Sequence, residues 1–169
     1  MLLAHSAAAD SVLNHKITAK QAADKLPEFS DAACRFTQEK SVKNSSTGEV
    51  TLKSGGNFKF EKANGVTFET TYPVKSVSSY TTEQNKHVSS IVKALANKNY
   101  TYLEKNFDIY YLPSSNNRWE LALKPKKDSK AAAALKLINI KGRNGIDNMV
   151  IDTQNSKTTI NYTNCKNNF

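Results

Sequence analysis

The sequence predicts an α+β fold: a single strongly curved antiparallel sheet, an incomplete β-barrel, covered by an N-terminal helix and a helical lid. Three observations lead there. Beyond Ala33, apolar residues recur at every second position through most of the chain, the pattern of strands with one buried face. Only two longer stretches, 10–26 and 85–97, carry apolar residues at helical spacing. The last three predicted strands share one continuous apolar face, and two amphipathic helices need such a face to bury their stripes.

Taken in order, residues 10–26, DSVLNHKITAKQAADKL, place Val12, Leu13, Ile17, Ala23 and Leu26 on one side of a helix. Asp10 or Ser11 can cap its start, and Pro27 stops it. In CRFTQEKSV the period becomes two, setting Cys34 and Phe36 apart from Arg35, Thr37 and Glu39. NSSTG then reads as a hairpin turn into EVTLKS. In GGNFKFEKANGVTFETTYP, a three-residue loop Ala63-Asn64-Gly65 with Gly65 at positive φ keeps the phenylalanines on one face. That register pairs Lys62 with Val66, Phe60 with Phe68 and Phe58 with Thr70, while Gly55-Gly56 reads as a strand break or bulge.

Asn85–Asn97 spaces Val88, Ile91, Val92 and Leu95 along one helical face. Tyr100–Leu112 holds a short turn of helix and then a strand through Phe107, Ile109 and Tyr111. RWELALKP puts Trp119, Leu121 and Leu123 on one face and ends at Pro125; DSKAAAAL is a helical turn or loop. With Asn144-Gly145 as a type I′ turn, Ile140 opposes Met149 and Ile138 opposes Ile151. With Asn155-Ser156 as the next two-residue turn, Ile151 opposes Ile160 and Met149 opposes Tyr162. The opposite face carries Asn139, Lys141, Asn148, Asp152, Thr159 and Asn161, with Val150 as its apolar exception.

A chain of 169 residues suits one domain with a real core, and no run of about 18 apolar residues exists to span a membrane. Residues 10–169 read as that domain. Residues 1–9 read as the remnant of a signal peptide or a disordered start, since Ala7 and Ala9 are the small residues a signal peptidase accepts. A net charge of +9, from 24 basic and 15 acidic residues, suits an acidic partner without choosing among lipid, protein and nucleic acid. The lysines are spread along the chain, with only Lys124, Lys126 and Lys127 tightly grouped. Cys34 and Cys165 lack redox or zinc spacing. In an oxidising compartment they can bridge distant strands, for roughly 4–5 kcal/mol; two buried free thiols are the other reading.

Catalysis finds no support. His5, His15 and His87 are isolated, and no GxSxG, phosphate-binding loop or dinucleotide fingerprint occurs. Glu39, Glu61 and Glu69 alternate on strands as solvated-face residues. The expectation is a protein without catalytic residues, metal or cofactor. Nucleic acid is not the expected partner either, because the lysine of FKFEK falls on the face opposite its phenylalanines. The apolar face is then either a filled core or the dry wall of a cavity. As a wall it comprises Phe36, Phe58, Phe60, Phe68, Trp119, Leu121, Leu123, Ile138 and Ile140, with Ile91, Val92 and Leu95 presented by the lid.

Four stretches, CRFTQEK, GGNFKF, WELALKPK and IKGRNGIDNMVIDTQNSKTTINYTN, give the chain its resemblance to the periplasmic outer-membrane lipoprotein carriers, LolA and its relatives. The resemblance implies a half-open barrel with a helical lid, working in the periplasm as a shuttle for acylated lipoproteins or related lipids. It implies an inner-membrane ABC transporter and an outer-membrane acceptor as partners; the carrier itself is expected to be a monomer. An arginine that helps hold the family's lid shut is matched most nearly by Lys62, which lacks the forked donors of a guanidinium. Phe68 stands where the family usually has tryptophan, and only VKSVSSYTTEQ separates Pro73 from the lid helix, which shortens the barrel. The chain thus reads as a divergent member. The alternatives are a carrier of another lipid-linked product and a cavity-free interaction domain of the same fold.

Overall fold

The computed structural model describes residues 11–44, 46, 48–78 and 83–166. Ten strands make one antiparallel sheet: β1 (Lys16–Ile17), β2 (Ala32–Asn44), β3 (Gly48–Glu61), β4 (Gly65–Tyr72), β5 (Ser76–Ser78), β6 (Phe107–Pro113), β7 (Trp119–Pro125), β8 (Leu137–Gly142), β9 (Ile146–Asp152) and β10 (Ser156–Lys166). Their order is β1-β6-β7-β8-β9-β10-β2-β3-β4-β5, so β1 and β5 are free edges and the sheet is not closed. Four helices accompany it: α1 (Ala19–Lys25), α2 (Glu83–Ala96), α3 (Tyr100–Asn106) and α4 (Ala131–Ala134). Residues 1–9, read above as a signal remnant, and His5 lie outside the described residues.

The single helix expected over 10–26 is three elements. Ser11 Oγ accepts from the Leu13 N–H and caps a short 3-10 turn, Val12–Asn14. Lys16 and Ile17 then extend as β1 opposite Tyr110 and Ile109 of β6, with Lys16 Nζ 3.2 Å from Asp108. A new helix starts at Thr18, whose hydroxyl accepts from the Gln21 N–H while Gln21 Oε1 accepts from the Thr18 N–H. This capping box, beside the β-branched Ile17, stabilises a fresh start over a continuous helix. α1 ends two residues before Pro27, as a proline stop requires.

Face assignments hold throughout, but three hairpins differ in detail from the expectation. Between β3 and β4, Phe58 opposes Phe68 and Phe60 opposes Val66, with Glu61 opposite Gly65. The turn includes Lys62, closed by the Asn64 N–H on the Glu61 carbonyl at 3.2 Å, and Gly65 has φ +88°. Asp31 moves the register. Its Oδ1 accepts the Lys62 N–H at 2.8 Å, drawing Lys62 out of the ladder. Between β8 and β9, Asn144 and Gly145 do not take the positive φ of a type I′ turn. The expected Ile138–Ile151 and Ile140–Met149 pairs form, and an irregularity at Gly142 absorbs the difference. Between β9 and β10 the turn is Gln154-Asn155. Thr153 Oγ1 accepts the Ser156 N–H at 3.0 Å and fixes that turn, so Met149 opposes Ile160 and Ile151 opposes Thr158.

Gly55 and Gly56 do sit at a register break. β4 carries an extra residue between Thr70 and Tyr72, the Tyr72 ring covers Gly55, and a Cβ on Gly56 would run into the Glu69 carbonyl. The C-terminal strand has a second irregularity. Asn164 takes φ +51° where the β10–β2 register shifts between Thr163 and Lys166. Without it Cys165 would share the outward parity of Asn161 and Thr163. The break turns it toward Cys34, to which it is disulfide-bonded, with the Cα atoms 4.0 Å apart.

Candidate functional site: the covered inner face of the sheet

Every residue expected on the apolar wall lies on one face of the sheet. Phe36, Phe58, Phe60, Trp119, Leu121, Leu123, Ile138 and Ile140 are buried in one cluster, and Phe68 is half-buried against it. The register explains the assembly: Leu121 opposes Ile140, Leu123 opposes Ile138, and Phe58 opposes Phe68 in directly adjacent strands. Met149, Ile151, Ile160 and Tyr162 continue the surface from β9 into β10 and so to Cys34 and Phe36 of β2. The aromatic rings pack closely: Phe36 and Phe68 meet edge to face with centroids 5.0 Å apart, while Phe58 and Phe68 at 5.1 Å, and Phe58 and Tyr162 at 4.7 Å, are tilted. Trp119 packs on Phe29 and donates its indole N–H to the Arg143 carbonyl at 3.0 Å.

The helices supply the cover. Ile91, Val92 and Leu95 of α2 are buried in the same cluster, with Val88 on the same stripe. α2 comes so close to the start of β4 that a Cβ on Gly65 would meet Ser89 Oγ at 3.2 Å and Lys93 Cδ at 3.4 Å. Glycine at 65 is favoured by its backbone angle, and a side chain there would also press on the two α2 side chains. At its C-terminus α2 ends in a Schellman motif: the Asn99 N–H donates to the Ala94 carbonyl, the Lys98 N–H to that of Leu95, and Lys98 has φ +55°. Asn99 then accepts from the Tyr102 N–H and opens α3, so the two helices meet at a sharp joint.

A polar rim lies beside this joint. Lys98 Nζ sits 3.0 Å from Glu28 in the segment between α1 and β2. The Glu28 carboxyl pKa is lowered, chiefly by that hydrogen bond and charge, with a smaller contribution from Lys62. Lys62, expected to lock the lid, has an exposed side chain; the contact made by its own residue is the backbone donation to Asp31. Lys98, just past α2, and Glu28, just past α1, form an ion pair at this joint. Nothing in the periodicity singled these two out, because both are exposed charges flanking helix ends.

Two hydroxyls are buried within this interior without a hydrogen-bond partner among the described residues, Tyr100 Oη and Thr158 Oγ1. Burial pushes the Tyr100 phenol up to about 12 and raises that of Tyr162 as well. The grooves delimited by described residues open elsewhere. One, of about 470 Å³, lies between Leu13, Lys43, Lys124, Lys136 and Lys157; another, of about 510 Å³, runs past Arg35, Asn57 and Glu69 on the outer face. Of the expected wall residues only Phe58 borders either one. Among the described residues no group of His, Cys, Asp and Glu is arranged to hold a metal ion, and no helix is long and apolar enough to cross a membrane.

No protein-family profile and no curated protein matches the chain. Among solved structures it is similar to a LolA superfamily protein, NE2245 from Nitrosomonas europaea. The likeness has a TM-score of 0.42 and 9% identity, over 90% of this chain and 94% of that one.

Proposed function

We propose that this chain is a periplasmic carrier that takes acyl chains of a lipoprotein, or of a related lipid, onto the inner face of its sheet when α2 swings aside. No chemistry is required of it, so it is not read as an enzyme. Its partners would be a donor in the inner membrane, an ABC transporter in the family it resembles, and an acceptor in the outer membrane. The observation that carries the reading is a continuous aromatic and aliphatic wall covered by one amphipathic helix that ends in a defined joint. The disulfide adds a second line of support, since bridges of this kind persist in oxidising compartments such as the periplasm.

The energetics permit the exchange. Uncovering Val88, Ile91, Val92 and Leu95 costs about 1.5–3 kcal/mol each, or about 6–12 kcal/mol together. An acyl chain of about sixteen carbons recovers about 0.8 kcal/mol per methylene, about 12 kcal/mol in all. One chain therefore roughly offsets the opening, and a multiply acylated cargo favours it. Release then follows from a partner that binds the open state more tightly, because without nucleotide chemistry only differential affinity can move cargo.

The close ring packing of Phe36, Phe58, Phe68 and Tyr162 favours a second reading, a cavity-free interaction domain of the same fold. Lipid extraction and mass spectrometry of protein purified from an exporting host, with titration of a fluorescent acyl probe, separates the two. The carrier retains or loads acylated ligand, and Lys98→Ala, which frees the α2 joint, loads faster. Protein that neither carries nor takes up an acyl ligand sinks the carrier reading and leaves the interaction domain.

A further inference from the structure

The longest hairpin of the sheet outruns its neighbours. β3 begins at Gly48, but its partner β4 ends with Tyr72 opposite Gly55, so Gly48–Ser54 has β2 on one side and no described strand on the other. Among the described residues, these seven residues of backbone form an open sheet edge. This segment contains no proline, no bulge and no inward-pointing charge; the edge devices it carries are two outward charges of opposite sign, Glu49 and Lys53. On its inner face Val50 and Leu52 are 40% and 57% exposed, two of the largest exposed apolar side chains described. Glu49, Thr51 and Lys53 stand on the outer face.

We propose that this edge pairs with the same edge of a second copy of the chain, antiparallel about a two-fold axis through Thr51, joining two sheets into one. The evidence is the chemical self-complementarity of GEVTLKS. Side chains that face each other across an antiparallel pair lie on the same side of the sheet, so a perpendicular two-fold axis must pass through a residue facing its own copy. Placing it at Thr51 sets Glu49 opposite the partner's Lys53 and Val50 opposite the partner's Leu52, each twice. Placing it at Val50 sets Glu49 against threonine, and placing it at Leu52 sets Lys53 against threonine, so both lose the charge pairs. β2 extends the pattern, because Lys43 stands opposite Glu49 and Glu39 opposite Lys53, with Lys53 Nζ 3.5 Å from Glu39. Across the four strands the outer face then reads Lys43, Glu49, the partner's Lys53, the partner's Glu39, alternating in sign throughout. The inner face reads Val42, Val50, the partner's Leu52, the partner's Lys40. This departs from the single-chain state expected from the sequence, and it does not depend on the carrier reading.

Sedimentation velocity at low salt, over the micromolar range, tests it on the intact chain. Wild type should show a reversible monomer–dimer equilibrium that weakens as salt is raised. Glu49→Lys alone sets lysine against lysine twice, and Lys53→Glu alone sets glutamate against glutamate twice. Each should weaken self-association by roughly tenfold or more. Mixing the two single variants restores both opposite-charge pairs between the copies and should yield a heterodimer, which also shows that each variant is folded. Monomeric wild type under all these conditions, single variants that associate as before, or a mixture that does not associate would each overturn the proposal.

Discussion

The Cys34–Cys165 bridge closes a loop of 131 positions, so most of the unfolded chain is held in one ring. Replacing both cysteines with alanine frees it. On the loop-entropy model the change is about 5 kcal/mol. Native domains are stable by only about 5–15 kcal/mol, so this single bond is worth a third or more of a typical domain's stability. With a slope of about 2 kcal/mol per molar urea, the unfolding midpoint should fall by about 2–3 M. Trp119 reports the transition without modification: it is the one tryptophan of the chain, buried at 4% exposure between Phe29 and the Arg143 carbonyl. Reductant added to wild type should move the midpoint to the same place. A shift worth less than about 1 kcal/mol in both experiments would refute the reasoning. It would mean that the β2–β10 ladder, not the bridge, holds the two strands in the denatured ensemble as well as in the fold.

Two further measurements follow from the buried hydroxyls. Thr158→Val and Tyr100→Phe each remove an oxygen that has no partner among the described residues, so urea unfolding should show them neutral or stabilising by about 1 kcal/mol; a loss above about 1 kcal/mol would reveal a hidden partner. The same burial gives a pH dependence. Tyr100 in the fold stays protonated to about 12 and Tyr162 is raised too, whereas tyrosines of the unfolded chain ionise near about 10. The unfolded state therefore holds fewer protons over this interval, and stability, intact below about pH 10, falls as pH rises toward about 12. Midpoints measured across that window should drop, and less steeply in Tyr100→Phe.

Strand parity was readable from the residues throughout; strand register was readable between β8 and β9, but not between β3 and β4 or between β9 and β10. Phe58, Phe60 and Phe68 share a face in both the expected and the observed hairpin because sliding an antiparallel pair by a whole two-residue step leaves every side chain on its own side. What selects the step is a contact from elsewhere, here Asp31 on the Lys62 N–H, and local pattern carries no trace of it. The β9–β10 turn is the same case at closer range: Thr153 bonds Ser156 through backbone and side chain, and moves the turn by one residue. The N-terminal helix failed differently. Val12, Leu13, Ile17, Ala23 and Leu26 fit a helical stripe, yet Thr18 and Gln21 form a capping box that competes inside it. β5 was invisible because Ser76–Ser78 has no apolar alternation and exists only as a partner for Phe68–Thr70. Of the site, the wall and the helix covering it were legible as faces, while Glu28 and Lys98 were not, since ion pairs between distant segments leave no period.

If the chain is a carrier as proposed, the distribution of restraints bears on how its cover would move. The middle of the sheet is fixed most firmly: Cys34 is bonded to Cys165 across β2 and β10, and the Phe58, Phe68 and Tyr162 rings interlock beside that bond. α2 approaches the start of β4 at Gly65 and has its ion-paired joint at Lys98. Phe68, between the interlocked rings and the short β5 edge, is the one expected wall residue that is only half-buried. A rotation of α2 about its C-terminal joint would leave the clamped centre undisturbed and widen the interior from the β4 side. The wall need not deform to admit a hydrocarbon chain. On the proposed carrier reading the helix would leave, and the stripe of Val88, Ile91, Val92 and Leu95 sets what that would cost.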